Sequence, residues 1–225
     1  MVSVKICGLT NESDLATAIQ AGADRVGFVI VPTSPRFVAR RLLTRLAAST
    51  YNMQYAERWV DVWLVASWSL SERLFVDDLD ELVGGMPEAA AVQLHGKETP
   101  EDVADFKRLV PQVSVVKAIG VATREDLDRA HAYEAADMIL LDAKPPPGAD
   151  REGGFGKPFD WSILEGFDPG KPWVLSGGLT PENVAEAIRI SGAKAVDVSS
   201  GVEASPGVKD PAKVRAFIEA AKAAG

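Results

Sequence analysis

A chain of 225 residues buries roughly 70 to 75% of its unfolded surface, which excludes a mini-protein that relies on disulfides or a structural metal for its core. A hydrophobic share of 47% and a charged share of 25% exclude a mainly disordered chain. The formal net charge of -8 excludes a general phosphate-backbone binder, so no nucleic-acid partner is expected, while a local cationic pocket for one small anion stays open.

The N-terminal run Met1 to Ile6 enters a strand pattern directly, with no basic leader or cleavage signal. The longest apolar stretches fall short of the roughly 18 to 20 residues that span a bilayer. A soluble, cytoplasmic protein with no membrane partner is the expectation. In Ser3-Val4-Lys5-Ile6-Cys7-Gly8, the two-residue period of a strand puts Val4 and Ile6 on one face and Ser3, Lys5 and Cys7 on the other. The apolar pair is expected to face helices and the polar set the interior, with Cys7 at the strand's end and Gly8 allowing a sharp turn. Cys7 is the single cysteine, and the chain lacks any CxxC or paired His/Cys spacing, so neither an intramolecular disulfide nor a metal site is predicted.

A second strand centres near Phe28 and leads to Thr33-Ser34-Pro35-Arg36-Phe37, where proline stiffens a loop. Its arginine is either solvated or a two-point grip for a carboxylate. Val38 to Glu57 is a long helical or loop segment before a third strand near Leu64, which Trp59, Trp63 and Trp68 surround. The fourth strand, near Val92, turns Gln93 and His95 to one face, as a substrate contact or as hydrogen-bonded residues of the strand's end. Thr99-Pro100-Glu101-Asp102 then starts a helix with a capping side chain and a first-turn proline.

A fifth strand lies near Val115, and His131 falls in a charged helical stretch, where a solvated role is expected. Met138-Ile139-Leu140-Leu141-Asp142 is the sixth strand, four apolar residues and then a carboxylate where the strand opens into its loop. Asp142 reads as a turn or capping residue, or as an acid or base. The seventh strand, near Val174, precedes Ser176-Gly177-Gly178-Leu179-Thr180, with a helix start at Thr180-Pro181-Glu182-Asn183 and a stop at Gly192 like that at Gly22. In the eighth strand, Val196-Asp197-Val198-Ser199-Ser200-Gly201 sends Asp197 and Ser199 inward, and an interior aspartate requires a partner or a ligand. Asp210-Pro211 starts the last helix.

Eight strands spaced roughly 22 to 36 residues apart match one strand, one helix and two loops each, the unit of parallel sheets. Gly8-Leu9-Thr10 and Gly178-Leu179-Thr180 open two units built alike. These features predict an α/β fold, a single-domain (β/α)8 TIM barrel over residues 1–225, with an open doubly wound sheet as the rival. Chemistry in such barrels sits at the C-terminal strand ends. Glycine loops after strands six, seven and eight, Gly153 to Lys157, Ser176 to Thr180 and Ser199 to Gly201, fit the recurrent phosphate site there. Gly154, Gly177, Gly178, Ser199, Ser200 and Gly201 are its candidate residues.

Together, Lys5-Ile6-Cys7-Gly8-Leu9-Thr10, Gly27-Phe28 with Ser34-Pro35-Arg36, Gln93-Leu94-His95-Gly96, Leu141-Asp142, Phe159-Asp160-Trp161, Gly177-Gly178-Leu179 and Asp197 to Glu203 resemble the phosphoribosylanthranilate isomerases of tryptophan biosynthesis. The resemblance implies conversion of N-(5-phosphoribosyl)anthranilate to the 1-deoxyribulose compound by an Amadori rearrangement. It implies Cys7 as general base, Asp142 as general acid, and Arg36 near the anthranilate carboxylate. Lys5, Asp197 and His95 complete the expected substrate-binding set. The rearrangement is internally redox-neutral, so no cofactor and no metal are expected, and the partner is a small phosphoribosyl substrate, with a monomer or homodimer as the assembly.

Barrel closure places strand eight beside strand one, so Lys5 and Asp197 are expected to pair, the ammonium favouring the Cys7 thiolate. Two departures from the family stand out. Phe155 occupies the sixth loop where a small hydroxyl residue is usual. The third strand, Trp59 to Ser67, lacks the usual glycine-and-phenylalanine pattern, a difference expected in the scaffold rather than the site. The competing readings are an isomerase that also takes the histidine-pathway aminoaldose, against which Cys7 argues, and a non-catalytic phosphate-ligand binder.

Overall fold

The computed structural model describes residues 1–53, 60–67, 89–144 and 158–225. The readings at Trp59, at Trp68 and in the glycine loop from Gly153 to Lys157, with Gly154 and Phe155, lie outside them. Each of the eight predicted centres falls within a strand: β1 Ser3–Cys7, β2 Arg25–Val29, β3 Asp61–Ala66, β4 Ala89–Leu94, β5 Ser114–Val121, β6 Met138–Ala143, β7 Trp173–Leu175 and β8 Ala195–Val198. They pair in sequence order and close, β8 returning in parallel to β1. The rival open sheet is thereby ruled out. β-Branched and aliphatic residues dominate these strands because their two faces meet different apolar layers.

The outer layer holds Val4, Ile6, Val26, Phe28, Val92, Leu94, Val196 and Val198, packed against helix residues such as Leu15, Leu46, Phe106 and Phe217. The inner layer is a plug of Trp63, Ala91, Val116, Ala118, Leu140, Val174 and Ala195. A barrel of this size is thus filled with side chains, and its chemistry is confined to the end above the plug. Cys7, Val29 and Val65 form a small apolar cluster there.

Helix ends follow local chemistry. Helix α1, Glu12–Ala21, begins at Asn11, whose side chain accepts from the Asp14 amide, and stops at Gly22 in the left-handed region. Helix α2 is Arg40–Met53, within the segment read as helical or loop. Thr99 caps α3, Pro100–Leu109, in a reciprocal capping box with Asp102. A short α4, Arg124–Asp128, continues as a 3-10 turn that carries His131, which is exposed, as expected.

One helix start differs from the sequence reading. α5 spans Val184–Ser191, so Pro181 lies in a turn before it rather than at its first position. The Asn183 side chain accepts from the Thr180 amide and donates to the Gly178 carbonyl, which closes that turn and delays the helix. Gly192 ends it, and Asp210 caps α6, Pro211–Ala223, as predicted. Periodicity gave no sign of the small antiparallel hairpin of β9, Glu203–Ser205, and β10, Val208–Lys209, inserted after β8. Among the described residues, no helix is long and apolar enough to cross a membrane.

Candidate active site

Strand alternation turns Lys5, Asp197, Gln93, His95 and Asp142 into the barrel above the plug, and they form one polar network. The β1–β8 register sets Lys5 opposite Asp197, and its ammonium donates to Asp197 Oδ1 and to Gln93 Oε1, both at 3.0 Å. Lys5 is completely buried, at 0% exposure. The expected pairing is therefore present, and burial is tolerated because the charge is paired and hydrogen-bonded. Ser176 Oγ approaches Asp197 Oδ2 at a long 3.5 Å.

The third strand bears on the site more than its sequence suggested. Trp63 belongs to the inner plug, and its ring lies 5.1 Å from Lys5 Nζ and 5.3 Å from the Arg25 guanidinium carbon. It is an aromatic floor for the ammonium, a contact that stabilises a desolvated cation by about 2 kcal/mol. The third strand thus takes part in holding Lys5.

Cys7 ends β1, buried and free, opposite Gly27 of β2. A Cβ on Gly27 would lie 2.8 Å from Cys7 Sγ and 3.0 Å from Lys5 Cε, so the absent side chain makes room for the thiol. Burial pushes the Cys7 thiol above its ordinary value. Lys5 pulls it down, Asp197 pushes it up again, and Lys209 also pulls it down, but burial prevails. For Lys5, burial opposes the charge, yet Asp197 and Cys7 outweigh it and hold the ammonium above the ordinary lysine value. The ammonium thus assists the thiolate in direction but does not by itself make it the resting form.

Asp142 is the last residue but one of β6, three strands from β1 around the closed ring. It accepts from the Ala143 amide at 3.0 Å and contacts His95 Nε2 at 3.1 Å. His95 Nδ1 contacts Gln93 Nε2 at 2.9 Å. The histidine is therefore a hydrogen-bonded residue of the mouth, one of the two roles its position allowed.

Arg36 is neither solvated nor unpartnered. Its Nε and Nη2 donate to the two carboxylate oxygens of Glu203, each at 2.7 Å. That two-point pair leaves the Nη1 edge for a further carboxylate. The arginine stem runs over Gly8, where a Cβ would sit 2.5 Å from Arg36 Cδ. Lys209 of the hairpin donates to Glu203 Oε1 at 2.9 Å and to the Ser199 carbonyl at 3.0 Å. Glu203 ends the Asp197 to Glu203 motif, whose sequence assigns it no role, and Lys209 has no sequence signal, because a two-residue strand shows no period.

Burial favours the neutral form of Glu203, but Arg36 and Lys209 outweigh it and hold the carboxyl below its ordinary value, while burial pulls Lys209 below its own. A depressed carboxyl adds stability above its unfolded value, and that stability is lost as pH falls through the lower folded value. Glu203→Gln is expected to destabilise the protein at pH 7 by about 3 kcal/mol, since the buried Lys209 and the partly buried Arg36 lose their anion. Denaturant unfolding at falling pH checks this. The gap between parent and variant should narrow below pH 4.5, the reference carboxyl value, and a constant gap there contradicts the linkage.

The loops after β7 and β8 are locked together. A Cβ on Gly201 would lie 1.9 Å from the Leu179 carbonyl oxygen, and one on Gly177 2.1 Å from the Ala143 nitrogen. Gly177 and Gly178 also hold positive φ values of 86° and 66°, which side chains disfavour. Gly177, Gly178, Ser199, Ser200 and Gly201 thus gather at one side of the mouth. Among the described residues, no group of three or more His, Cys, Asp or Glu is arranged to hold a metal ion.

A closed parallel barrel with a thiol, a carboxyl and an anchored guanidinium at its C-terminal end, beside glycine-rich loops, is the frame of an acid/base enzyme for a small anionic substrate. The family model described as N-(5'phosphoribosyl)anthranilate (PRA) isomerase matches residues 74–220. The chain is 46% identical over 223 residues to the N-(5'-phosphoribosyl)anthranilate isomerase of Rhodospirillum rubrum, covering 97% of each chain. A crystal structure of the phosphoribosyl anthranilate isomerase from Thermotoga maritima superimposes with a TM-score of 0.82 at 38% identity, over 99% of this chain and 100% of that one. Another crystal structure, a phosphoribosyl anthranilate isomerase in complex with reduced 1-(o-carboxyphenylamino)-1-deoxyribulose 5-phosphate, gives 0.80 at 35% identity, covering 99% and 100%. The chain belongs to the N-(5'-phosphoribosyl)anthranilate isomerase family. It is an aldose–ketose isomerase of tryptophan biosynthesis, converting N-(5-phosphoribosyl)anthranilate to 1-(2-carboxyphenylamino)-1-deoxyribulose 5-phosphate.

Proposed function

We propose that the rearrangement is carried by Cys7 as general base and Asp142 as general acid, within one barrel domain over residues 1–225. The observation that supports this most is the convergence of Lys5, Asp197, Gln93, His95 and Asp142 into one hydrogen-bonded layer beside Cys7. Asp142 gives its proton to the furanose ring oxygen, the bond from that oxygen to C1 breaks, and the ring opens to a Schiff base. The Cys7 thiolate takes the proton from C2, and the electrons of that C–H bond form the C1–C2 double bond of an enolamine. Tautomerisation moves the C2 hydroxyl proton away and adds one at C1, giving the ketone.

Arg36 holds the anthranilate carboxylate through the guanidinium edge left beyond Glu203. The amides and glycines of the loops at Gly177, Gly178, Ser199, Ser200 and Gly201 cradle the phosphate. Lys5 and Asp197 act beneath the base, and His95 beside the acid. A cytoplasmic location goes with this metabolic role. Each step uses side chains alone, so purified protein is expected to consume N-(5-phosphoribosyl)anthranilate, followed by loss of its fluorescence, in excess chelator and without added cofactor. Dependence on a divalent ion contradicts the scheme. Comparable efficiency on the histidine-pathway aminoaldose favours the dual-specificity reading instead.

A further inference from the structure

We propose that Gln93 is a positioning residue: it fixes His95 as the Nε2–H tautomer, so that the imidazole donates to Asp142 and cannot accept the proton that Asp142 must deliver. The proposal rests on the reading of Asp142 as the acid, and its first measurement is independent of that reading.

The argument is one of donor direction. An ammonium has only hydrogens to offer, so the 3.0 Å contact from Lys5 Nζ requires the amide oxygen of Gln93 on that side. An amide orientation that is otherwise ambiguous is thereby settled. The Gln93 NH2 group is then the atom that faces His95 Nδ1, 2.9 Å away. It can only donate, so Nδ1 must carry the lone pair, and the hydrogen of a neutral imidazole sits on Nε2. That hydrogen points at Asp142 Oδ2 across 3.1 Å, while the Ala143 amide occupies Oδ1. Donation runs one way from Lys5 through Gln93 and His95 to Asp142.

The opposite tautomer would aim a basic lone pair at the carboxyl. A protonated Asp142 would then give its hydrogen to imidazole instead of to the substrate's ring oxygen. With the observed direction, the acidic hydrogen has no acceptor in His95.

The end of β4, with Gln93, and the turn that follows it, with His95, are held from outside the barrel. Lys117 donates to the Gly96 carbonyl at 2.9 Å and to Glu98 Oε2 at 2.8 Å, and the same carboxylate oxygen accepts from the Gly96 amide at 3.0 Å. Glu98 and Lys117 are both 2% exposed. This buried clamp fixes the backbone immediately after His95, so the imidazole has little freedom to escape the polarity that Gln93 imposes.

The chain has two histidines, His95 and His131, so long-range proton–nitrogen NMR of 15N-labelled protein resolves the ring, with His131→Gln assigning the signals. At pH 9, well above the ordinary imidazole value of about 6.5, His95 in the parent should show the Nε2–H pattern alone. Gln93→Glu, the same shape without a donor, should shift it to Nδ1–H and lower kcat about tenfold or more, with KM changed less than about threefold. Gln93→Leu should lower kcat similarly in the parent but not further in a His95→Leu background, since its effect passes through the imidazole. A parent ring that is mixed or Nδ1–H overturns the proposal, as does full kcat in Gln93→Glu with an inverted ring. Independent multiplication of the Gln93 and His95 effects overturns it too, by assigning Gln93 to Lys5 alone. If Asp142→Asn keeps full activity while His95 shows the Nε2–H ring, the assignment of the acid fails and the tautomer assignment stands.

Discussion

Cys7→Ser is expected to lower kcat/KM by about a hundredfold to ten-thousandfold, the usual contribution of a positioned general base. The serine oxygen is smaller than sulfur, so it fits the space that Gly27 leaves without repacking. A hydroxyl ionises far less readily than a thiol, so the loss falls on proton removal from C2, and KM should change little. The parent's pH profile follows from the direction of the thiol shift. Burial holds Cys7 above the reference value of 9.0, so kcat/KM should still be rising with pH through neutrality, as the thiolate fraction grows. The variant should lose that rising limb. Iodoacetamide alkylation of the parent should follow the same limb, because Cys7 is the single cysteine. A serine variant within a few-fold of the parent would falsify the assignment of the base. An alkylation curve with its midpoint well below that of an ordinary thiol would show instead that the cations around Cys7 outweigh burial.

The parts of this fold that were legible in the sequence are those where one local rule acts alone. Eight short apolar runs are readable as strands because both faces of a parallel barrel are covered. The caps at Thr99 and Asp210 are readable because a side chain and a following proline suffice to start a helix. At Thr180 the same signature misplaces the start, because Asn183 closes a competing turn through contacts three and five residues back along the loop. Capping residues thus predict that a helix begins, while loop geometry decides where.

The site divides in a similar way. Period-two alternation turns Lys5, Cys7, Asp142 and Asp197 inward, and closure of the barrel pairs Lys5 with Asp197. Partners set by loop excursions were not legible. Glu203 reaches Arg36 only because the chain after β8 turns back into a hairpin, 167 residues from its partner. Lys209 enters the same cluster from the second strand of that hairpin. Gly27 carries no chemistry of its own and matters through what a side chain there would displace. Trp63 looked like a scaffold difference because an aromatic residue in a strand is ordinary core, and its cation contacts depend on which neighbours closure brings above and below it.

Lys5→Met is expected both to destabilise the protein and to make its thiol harder to ionise, and separating the two effects tests the electrostatics beneath the base. Methionine fills most of the lysine's volume and keeps contact with the Trp63 ring. It leaves Asp197 without its buried cation and Gln93 without its donor, a loss on the order of 3 to 5 kcal/mol for a broken buried pair. The folded-state value of Lys5 lies above its reference of 10.5. Its stability contribution is therefore complete below that reference and disappears only as pH rises through the higher folded value. Between pH 6 and pH 9 the unfolding gap between parent and variant, with respect to Lys5, should stay flat. The alkylation curves should separate in the same window, because Lys5 lowers the Cys7 value while Asp197 raises it. Lys5→Met in an Asp197→Asn background removes the unpaired carboxylate and should recover much of the stability. Since the pull of Lys5 on the thiol exceeds the push of Asp197, the double variant should still alkylate at higher pH than the parent. Coincident alkylation curves for the parent and both variants would show that Lys5 has no part in activating Cys7, and that its place under the base is fixed by the Asp197 pair and the tryptophan floor alone.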